Sequence, residues 1–503
     1  MVPEGQKNSG GMNLSEDKQE KRKLVVSFLR QGSKIAEAIQ YGLKPQFLCF
    51  QVDKGFSLEP FVEGFSEIYY PIGLKGQIPY SPYIITPELL ERIISPNFRP
   101  NFPSLYKRVY DEFDTFLDIE SHYKQLETAF TFETYQQHKF NSIGYLYHLG
   151  PQDCGKSRAL EVQNELAYRP LYGLEMPVAN IFNYIGTREE GLCTILEDEA
   201  QSLNNLKKRT KLAIYRGGYR KGANCPRIIE GGSKDRNQKF YKTFCSKAFS
   251  GYYFPKNNAF KSRCIPVPFV AGDPKKDEIL DEDRKRMASL KVELLVWRMT
   301  NYFEQLPNLE LSLKGRVKEV WKCKILSVIG TPAETTMLAM AEAFQKQKSK
   351  NLHDSLEAHV IKTVIYLAQY YDWLEIRFTE LWHCLLRALE VEFVDDYAKN
   401  SVEVTLLGYA ISKKRVGGIL GSILHGEQNL RRGLGRTWKF DRERLVKLAQ
   451  KFAITAEEVK ELRDNVNDVK EVNVVKDVKE KTIENECNND NFWEELVKDS
   501  ATT

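Results

Sequence analysis

One stretch limits the fold of this chain more than any other: YLYHLGPQDCGKSRALEVQNEL, residues 145–166. An apolar and aromatic run, a turn carrying Gly150 and Gly155, and an amphipathic helical pattern follow one another without a gap. Where a strand enters a glycine turn and leaves as a helix, the turn amides and the helix N-terminus face one point, and that point attracts polyphosphate. The glycines are required because the inward-facing amides need dihedrals that other residues adopt at a cost. Lys156 then neutralises the β and γ oxygens, Ser157 offers its hydroxyl to Mg²⁺, and Arg158 adds a cation in the first helical turn. The stretch predicts an α/β core, a parallel sheet with flanking helices. It also predicts ATP and Mg²⁺ as ligands, with Gly150, Gly155, Lys156, Ser157 and Arg158 as the cradle.

A second element strengthens that reading. GLCTILEDEA, residues 191–200, is an apolar run ending in carboxylates. An acidic pair at a strand's C-terminal edge beside a phosphate loop can hold the Mg²⁺ shell through Asp198, while Glu199 polarises a water for attack on the γ-phosphate. Glu197 stands where an apolar residue is usual; it is either an exposed edge charge or a competitor for the role of base. Further on, a strand-like TFCSKAFSGYY offers Lys247 or Ser250 as a polar sensor, and Arg263 leads directly into the strand-like CIPVPF. An arginine just before the last core strand is where ring-forming ATPases place the finger that reaches into a neighbouring subunit's nucleotide.

Taken in order, FETYQQHKFNSIGYLYHLGPQDCGKSRALE, TILEDEA, YRGGYRKGANCPRI, KTFCSKAFSG, KSRCIPVPF and LKGRVKEVWKCKILSVIG resemble a family of uncharacterised plasmid- and virus-borne P-loop ATPases. That family is related to the superfamily-three and AAA+ helicases of mobile elements. The match covers about residues 125–330, less than half of the chain. The resemblance implies an AAA+-type core with Lys156 and Ser157 in the phosphate loop and Asp198 and Glu199 at the Walker B position. It also implies Lys247 near the sensor and Arg263 as the trans-acting arginine. Two positions depart from the pattern: Glu197 replaces an apolar residue, and KSR stands where the family tends to have an acidic residue before its arginine.

Between the acidic strand and the sensor strand, residues 209–232 are basic and jointed by glycine, with Tyr215 and Tyr219 among Arg216, Arg220, Lys221 and Arg227. Such a mixture suits a segment that follows a nucleic-acid backbone while offering faces for bases to stack on. Its plain alternative is a surface helix and loop with solvated charges.

Charge is concentrated further along. The chain carries a formal net charge of only +5, yet residues 412–451 hold eleven basic side chains against three acidic ones, a local excess of eight. Three helical patterns followed by a basic two-strand ribbon, turned at Gly433, Leu434 and Gly435, describe a winged helix. Ser412 would cap its recognition helix, placing Lys413, Lys414 and Arg415 at the end that meets DNA, with Arg431, Arg432 and Arg436 around the wing tip. The alternative use of such a module is protein contact or lid closure.

The organisation expected is a polar arm over 1–23, a small α+β domain over 24–110, the ATPase core over 116–330 and a helical link over 331–353. A winged-helix DNA-binding domain over 354–455 and a mostly disordered charged tail over 456–503 follow, the tail offering Phe492, Trp493 and Leu496 as a docking helix for a replication partner. The nine cysteines are scattered singly, which suits free thiols in a reducing cytoplasm. No apolar run is long enough to cross a membrane. The expected function is an ATP-hydrolysing, helicase-like motor acting on DNA in replication or maintenance of a mobile element, assembled as a homo-oligomeric ring, a hexamer being one size. A DNA-binding initiator or regulator that uses ATP as an oligomerisation switch is the rival, and an ATPase acting on proteins the third reading.

Overall fold

The computed structural model describes residues 22–73, 83–95, 98–185, 191–205, 209–229, 237–368, 376–391, 399–407, 409–431 and 435–467. Most of the polar arm, the wing-tip residues Arg432, Gly433 and Leu434, and the tail with Phe492, Trp493 and Leu496 lie outside them. The chain forms two compact units, residues 1–342 and 343–503.

The first unit opens with strands β1 (Arg22–Val26), β2 (Phe28–Gln31), β3 (Lys34–Tyr41), β4 (Lys44–Gln51), β5 (Gly55–Glu59), β6 (Val62–Glu63), β7 (Glu67–Pro71) and β8 (Ile84–Ile85). Helix α1 (Pro87–Ile94) follows, capped by the Thr86 side chain. Strands β2 to β5 form an antiparallel meander that β8 joins beside β3, and β1, β7 and β6 make a second sheet. In β3 even Glu37 is fully buried. Its carboxylate accepts from Arg169 at 2.7 Å and Arg298 at 3.1 Å, two buried arginines from the rest of the unit, and from the Tyr168 hydroxyl at 2.8 Å. A buried charge is tolerated only when paired and hydrogen-bonded in this way.

The body of the unit is a five-stranded parallel sheet flanked by helices. Its strands are β9 (Tyr145–Leu149), β10 (Pro170–Leu174), β11 (Thr194–Asp198), β14 (Ser246–Gly251) and β15 (Cys264–Pro268), in the order β10-β11-β14-β9-β15. Between β11 and β14 the chain inserts α6 (Arg209–Gly217) and a ribbon of β12 (Asn224–Ile229) and β13 (Asn237–Lys242), paired antiparallel. One face is covered by α4 (Lys156–Leu166), packed with α2 (Phe102–Phe116), α3 (Ser121–Gln136) and α8 (Asp281–Thr300). The other lies under α5 (Val178–Ile185), α6 and α7 (Asn258–Lys261), which share an apolar core with Tyr145, Tyr147, Ile195 and Phe249. Helix α9 (Gly315–Leu326) packs against α3, and its Lys324 reaches the Gly144 carbonyl at 2.9 Å.

Beside α3, His138 stacks flat on Tyr302, with ring centroids 4.1 Å apart. Its Nδ1 lies 2.8 Å from the Arg298 guanidinium. Burial, together with that guanidinium, holds the imidazole well below its ordinary value of 6.5. In the unfolded chain the same imidazole takes up a proton near 6.5, so the unfolded state binds more protons and stability falls as pH drops below that value. The expected loss is about 1 kcal/mol between pH 7.5 and 5.5. Thermal melting across that range should show a smaller pH slope in His138→Gln than in the parent chain.

The second unit comprises α11 (Leu356–Ala368), β16 (Ile376–Arg377), α12 (Phe378–Ala388), β17 (Ser401–Val404), β18 (Tyr409–Ser412), α13 (Lys413–Ser422), β19 (Glu427–Arg431), β20 (Gly435–Lys439), α14 (Arg442–Lys451) and α15 (Ala456–Asn467). Helix α10 (Ala333–His353) carries the boundary between the units. Strands β19 and β20 form a hairpin that β16 extends. Leu381, Trp382, Leu385, Val416, Leu420, Trp438 and Leu445 belong to one core. Helix α15 lies in the stretch assigned from sequence to the charged tail; Val459 is buried in this core and Leu462 packs on it. Among the described residues, no helix is long and apolar enough to cross a membrane.

Candidate nucleotide-binding site

Sheet geometry assembles the site. In a parallel sheet every strand ends at the same edge, and side chains alternate between faces. Strand β9 delivers the glycine turn at the edge where β11 delivers its carboxylates, with β14 between them. Gly150 is required by close approach: a Cβ there would stand 2.2 Å from the Phe269 carbonyl oxygen and 2.8 Å from Cys154 Sγ. Gly155 has φ of +89° at the N-cap of α4, where any other residue would be strained. Lys156, next in line, is buried; its ammonium donates to the Pro151 carbonyl, lies 3.3 Å from Cys154 Sγ and faces the Tyr252 ring at 5.1 Å.

Ser157 Oγ donates to Asp198 Oδ2 at 2.6 Å. Asp198 Oδ1 accepts from the Ser250 hydroxyl and from the Glu199 amide, the latter at 2.9 Å. Two strands, β11 and β14, and the first turn of α4 thus converge on one carboxylate. Glu199 follows at a φ of 56°, exposed beyond the strand end. Arg158 turns away from this cluster, pairing with Glu161 at 2.9 Å and donating to the Asp277 carbonyl. A cavity of about 170 Å³ opens on that side, lined in part by Leu117, Asp118, Cys154, Gly155, Arg158 and Phe269. Near Asp198, burial and the carboxylate push the Tyr172 phenol up to about 12.

Alternation settles two choices that sequence left open. Glu197 points to the opposite face from Asp198 and is fully buried, paired with the Lys211 ammonium and accepting from the Tyr215 hydroxyl. It is neither an exposed edge charge nor a base at this site. Lys247 shares the α6 face and lies low on β14, level with Ile195. Its ammonium is buried against the carbonyls of Gly218, Thr243 and Cys245 at 2.9–3.2 Å. Of the two residues offered as a sensor, Lys247 stands away from the Asp198 carboxylate and Ser250 donates to it.

Arg263 lies at the opposite end of the sheet. Its neighbour Cys264 is level with Tyr145, while Pro268 is level with Leu149. At about 3.3 Å per residue, those strands separate it from the glycine turn that follows β9 by roughly 16 Å. The Arg263 guanidinium packs on the Tyr219 ring at 4.4 Å, as does that of Arg316. Burial and the Arg316 charge lower its pKa.

The basic insertion differs from its expected form. Tyr215 and Tyr219 are buried, so neither offers a stacking face. Arg220 is exposed and paired with Glu319, and Lys221 is exposed with its ammonium 2.7 Å from the His138 carbonyl. The aromatic available to a partner is Phe240 on β13, 59% exposed, beside exposed Lys242. No sequence signal singled these out, because which face of a ribbon is outward depends on what packs beneath it.

In the second unit, Ser412 caps α13 by accepting from the Arg415 amide at 3.2 Å. Lys414 and Arg415 are exposed in the first turn, Arg415 over the Tyr409 ring at 4.7 Å, and Lys413 lies 5.7 Å from the Trp382 ring. Arg431 ends β19 opposite Gly435, and Arg436 is exposed on β20. Arg444 instead binds the Ile423 carbonyl at 2.7 Å and closes the end of α13. Among the described residues, no group of three or more His, Cys, Asp and Glu side chains is arranged to hold a metal ion.

No family model matches the chain, and no curated protein matches its sequence. Among solved structures, the A-form apo structure of the NrS-1 C-terminal region is similar over 76% of this chain and 83% of its own, at 12% identity and a TM-score of 0.33. An apo structure of NrS-1 residues 305–718 matches over 80% of this chain and 96% of its own, at 10% identity and a TM-score of 0.33. Superposition at that level decides neither fold family nor activity.

Proposed function

We propose that this chain binds and hydrolyses ATP with Mg²⁺ and uses the cycle to act on DNA as a helicase-like motor in the replication or maintenance of a mobile element. The observation that carries the reading is the convergence of Lys156, Ser157, Asp198, Glu199 and Ser250 at one sheet edge beside a glycine turn. A hydroxyl and a carboxylate 2.6 Å apart form a hard-oxygen pair of the kind Mg²⁺ takes alongside substrate phosphates. Bound there, the ion would neutralise charge on the phosphates. The residues do the rest: loop amides and Lys156 hold the polyphosphate, Asp198 and Ser157 hold the ion, Ser250 fixes the Asp198 carboxylate, and exposed Glu199 orients a water. Arg263, too far from its own loop, serves a neighbouring copy, so the active form is a homo-oligomer. In this reading the first unit is an AAA+-type core and the second a winged helix whose α13 and hairpin hold DNA.

Turnover of MgATP with and without single- and double-stranded DNA, run beside a mass measurement under ATP, tests the proposal. DNA-stimulated turnover with separation of a forked duplex supports the motor. Nucleotide-dependent footprinting with negligible turnover supports the initiator instead, and calorimetry without heat on titration with MgATP removes both. Glu199→Gln should lower turnover at least about a hundredfold while nucleotide affinity stays within a few-fold, because a group that orients water acts on the chemical step.

A further inference from the structure

Glu197 is costly where it sits. It is fully buried on the strand that carries the catalytic carboxylates, at a position where an apolar side chain would pack without penalty. Two of its partners come from one helix: Lys211 and Tyr215, one turn apart on α6, engage its two carboxylate oxygens. Apolar contacts can slide by small steps, whereas a buried ion pair cannot open without exposing two uncompensated charges to a dry interior. Helix α6 and the end of β11 must therefore shift together.

The far end of α6 is equally tied. Its chain continues through Gly218 and Tyr219, whose carbonyls accept from Lys247 Nζ at 3.2 Å and from the Ile143 amide at 2.9 Å. The chain then enters the β12–β13 ribbon, where the Thr243 amide closes the base by bonding the Ala223 carbonyl at 3.2 Å. The outward face of that ribbon presents Phe240 and Lys242, an aromatic ring and a cation two residues apart. A ring for a base and a charge for a phosphate is the pairing that single-stranded nucleic acid fits.

We infer that Glu197 is a positioning residue: through Lys211 and Tyr215 it locks the catalytic strand to α6, so that single-stranded nucleic acid held on the β12–β13 ribbon sets the placement of Asp198 and Glu199. The inference rests on the ATP-hydrolysing reading above. It goes beyond it by assigning the route from ribbon to carboxylates.

Replacing Glu197 alone takes the carboxylate away from the buried Lys211 ammonium and is expected to destabilise the region, so the informative variant exchanges all three groups for apolar ones of similar size, Glu197→Leu/Lys211→Met/Tyr215→Phe. Exchanging buried ionic partners together for apolar side chains is often neutral for stability. The readout is the ratio of turnover with a saturating single-stranded oligodeoxynucleotide to turnover without it, alongside MgATP affinity by calorimetry and melting temperature. A correctly melting triple variant that binds MgATP like the parent but loses at least about threefold of the stimulation ratio supports the inference. The parent's full ratio in that variant overturns it. Turnover in the parent that DNA does not stimulate also overturns it, and leaves the hydrolase reading standing. Absence of turnover in the parent under every condition instead removes the hydrolase reading on which the inference depends, and the inference with it.

Discussion

Lys156→Ala is expected to lower ATP turnover by at least about a hundredfold, the scale on which removing one preorganised positive donor from a transition state is felt. The ammonium is buried among the loop's own acceptors, with the Pro151 carbonyl, Cys154 Sγ and the Tyr252 ring around it, so no second cation takes over its role by a change of rotamer. Alanine keeps the helical start of α4, and the Ser157 to Asp198 contact at 2.6 Å does not depend on the lysine. Fold and melting temperature should therefore change little. DNA binding by the basic surface of the second unit should survive, because that surface belongs to a separately compact part of the chain. Turnover assays and fluorescence anisotropy on one preparation check both halves. Loss of hydrolysis and of DNA binding together would contradict two separate sites.

The counterpart is a variant of the second unit, Lys414→Ala/Arg415→Ala/Arg436→Ala. All three side chains are exposed, so their removal leaves the core around Trp382, Val416 and Trp438 intact. Each cation that neutralises a phosphate releases about 0.9 counterions, so a surface using six such charges gives a slope of log affinity against log salt near −5. The triple variant should bring that slope to between about −2 and −3 and weaken binding at low salt by roughly two orders of magnitude. An unchanged slope would show that this face does not meet DNA, and would leave the module a protein-contact or lid role.

The centre of this molecule is readable in sequence because a glycine turn between a strand and a helix constrains spacing tightly. Gly150, Gly155, Lys156 and Ser157 stand between a strand and a helix, as the motif requires, and TILED ends where its carboxylates meet that turn. The choice between Glu197 and Asp198 was also within reach, since residues adjacent on a strand face opposite sides. Only Asp198 shares the face of α4. The choice between Lys247 and Ser250 is harder to read, because TFCSKAFSGYY does not show where the strand begins, and three residues along a strand change both level and face. Tyr215 and Tyr219 misled because tyrosine serves cores and stacking platforms equally; the helical spacing of Lys211 and Tyr215, one turn apart, was the signal that they share a buried face. Helix α15 is hard to read in sequence because Val459 and Leu462, which pack on the core, are submerged in charge. The three-way contact of Glu37 with Arg169 and Arg298 could not be read at all, since those positions are separated by up to 261 residues.

That last contact bears on how such a chain can be inherited. Exchanging the leading strands for those of another protein would remove the one carboxylate that both interior guanidiniums share. A recombination event between residue 95 and residue 169 would have to bring a matching acid from its new parent or lose the two arginines in the same generation. The opening sheet and the parallel sheet thus behave as a single heritable block, and a natural breakpoint is better sought near residue 342, where the compact units divide.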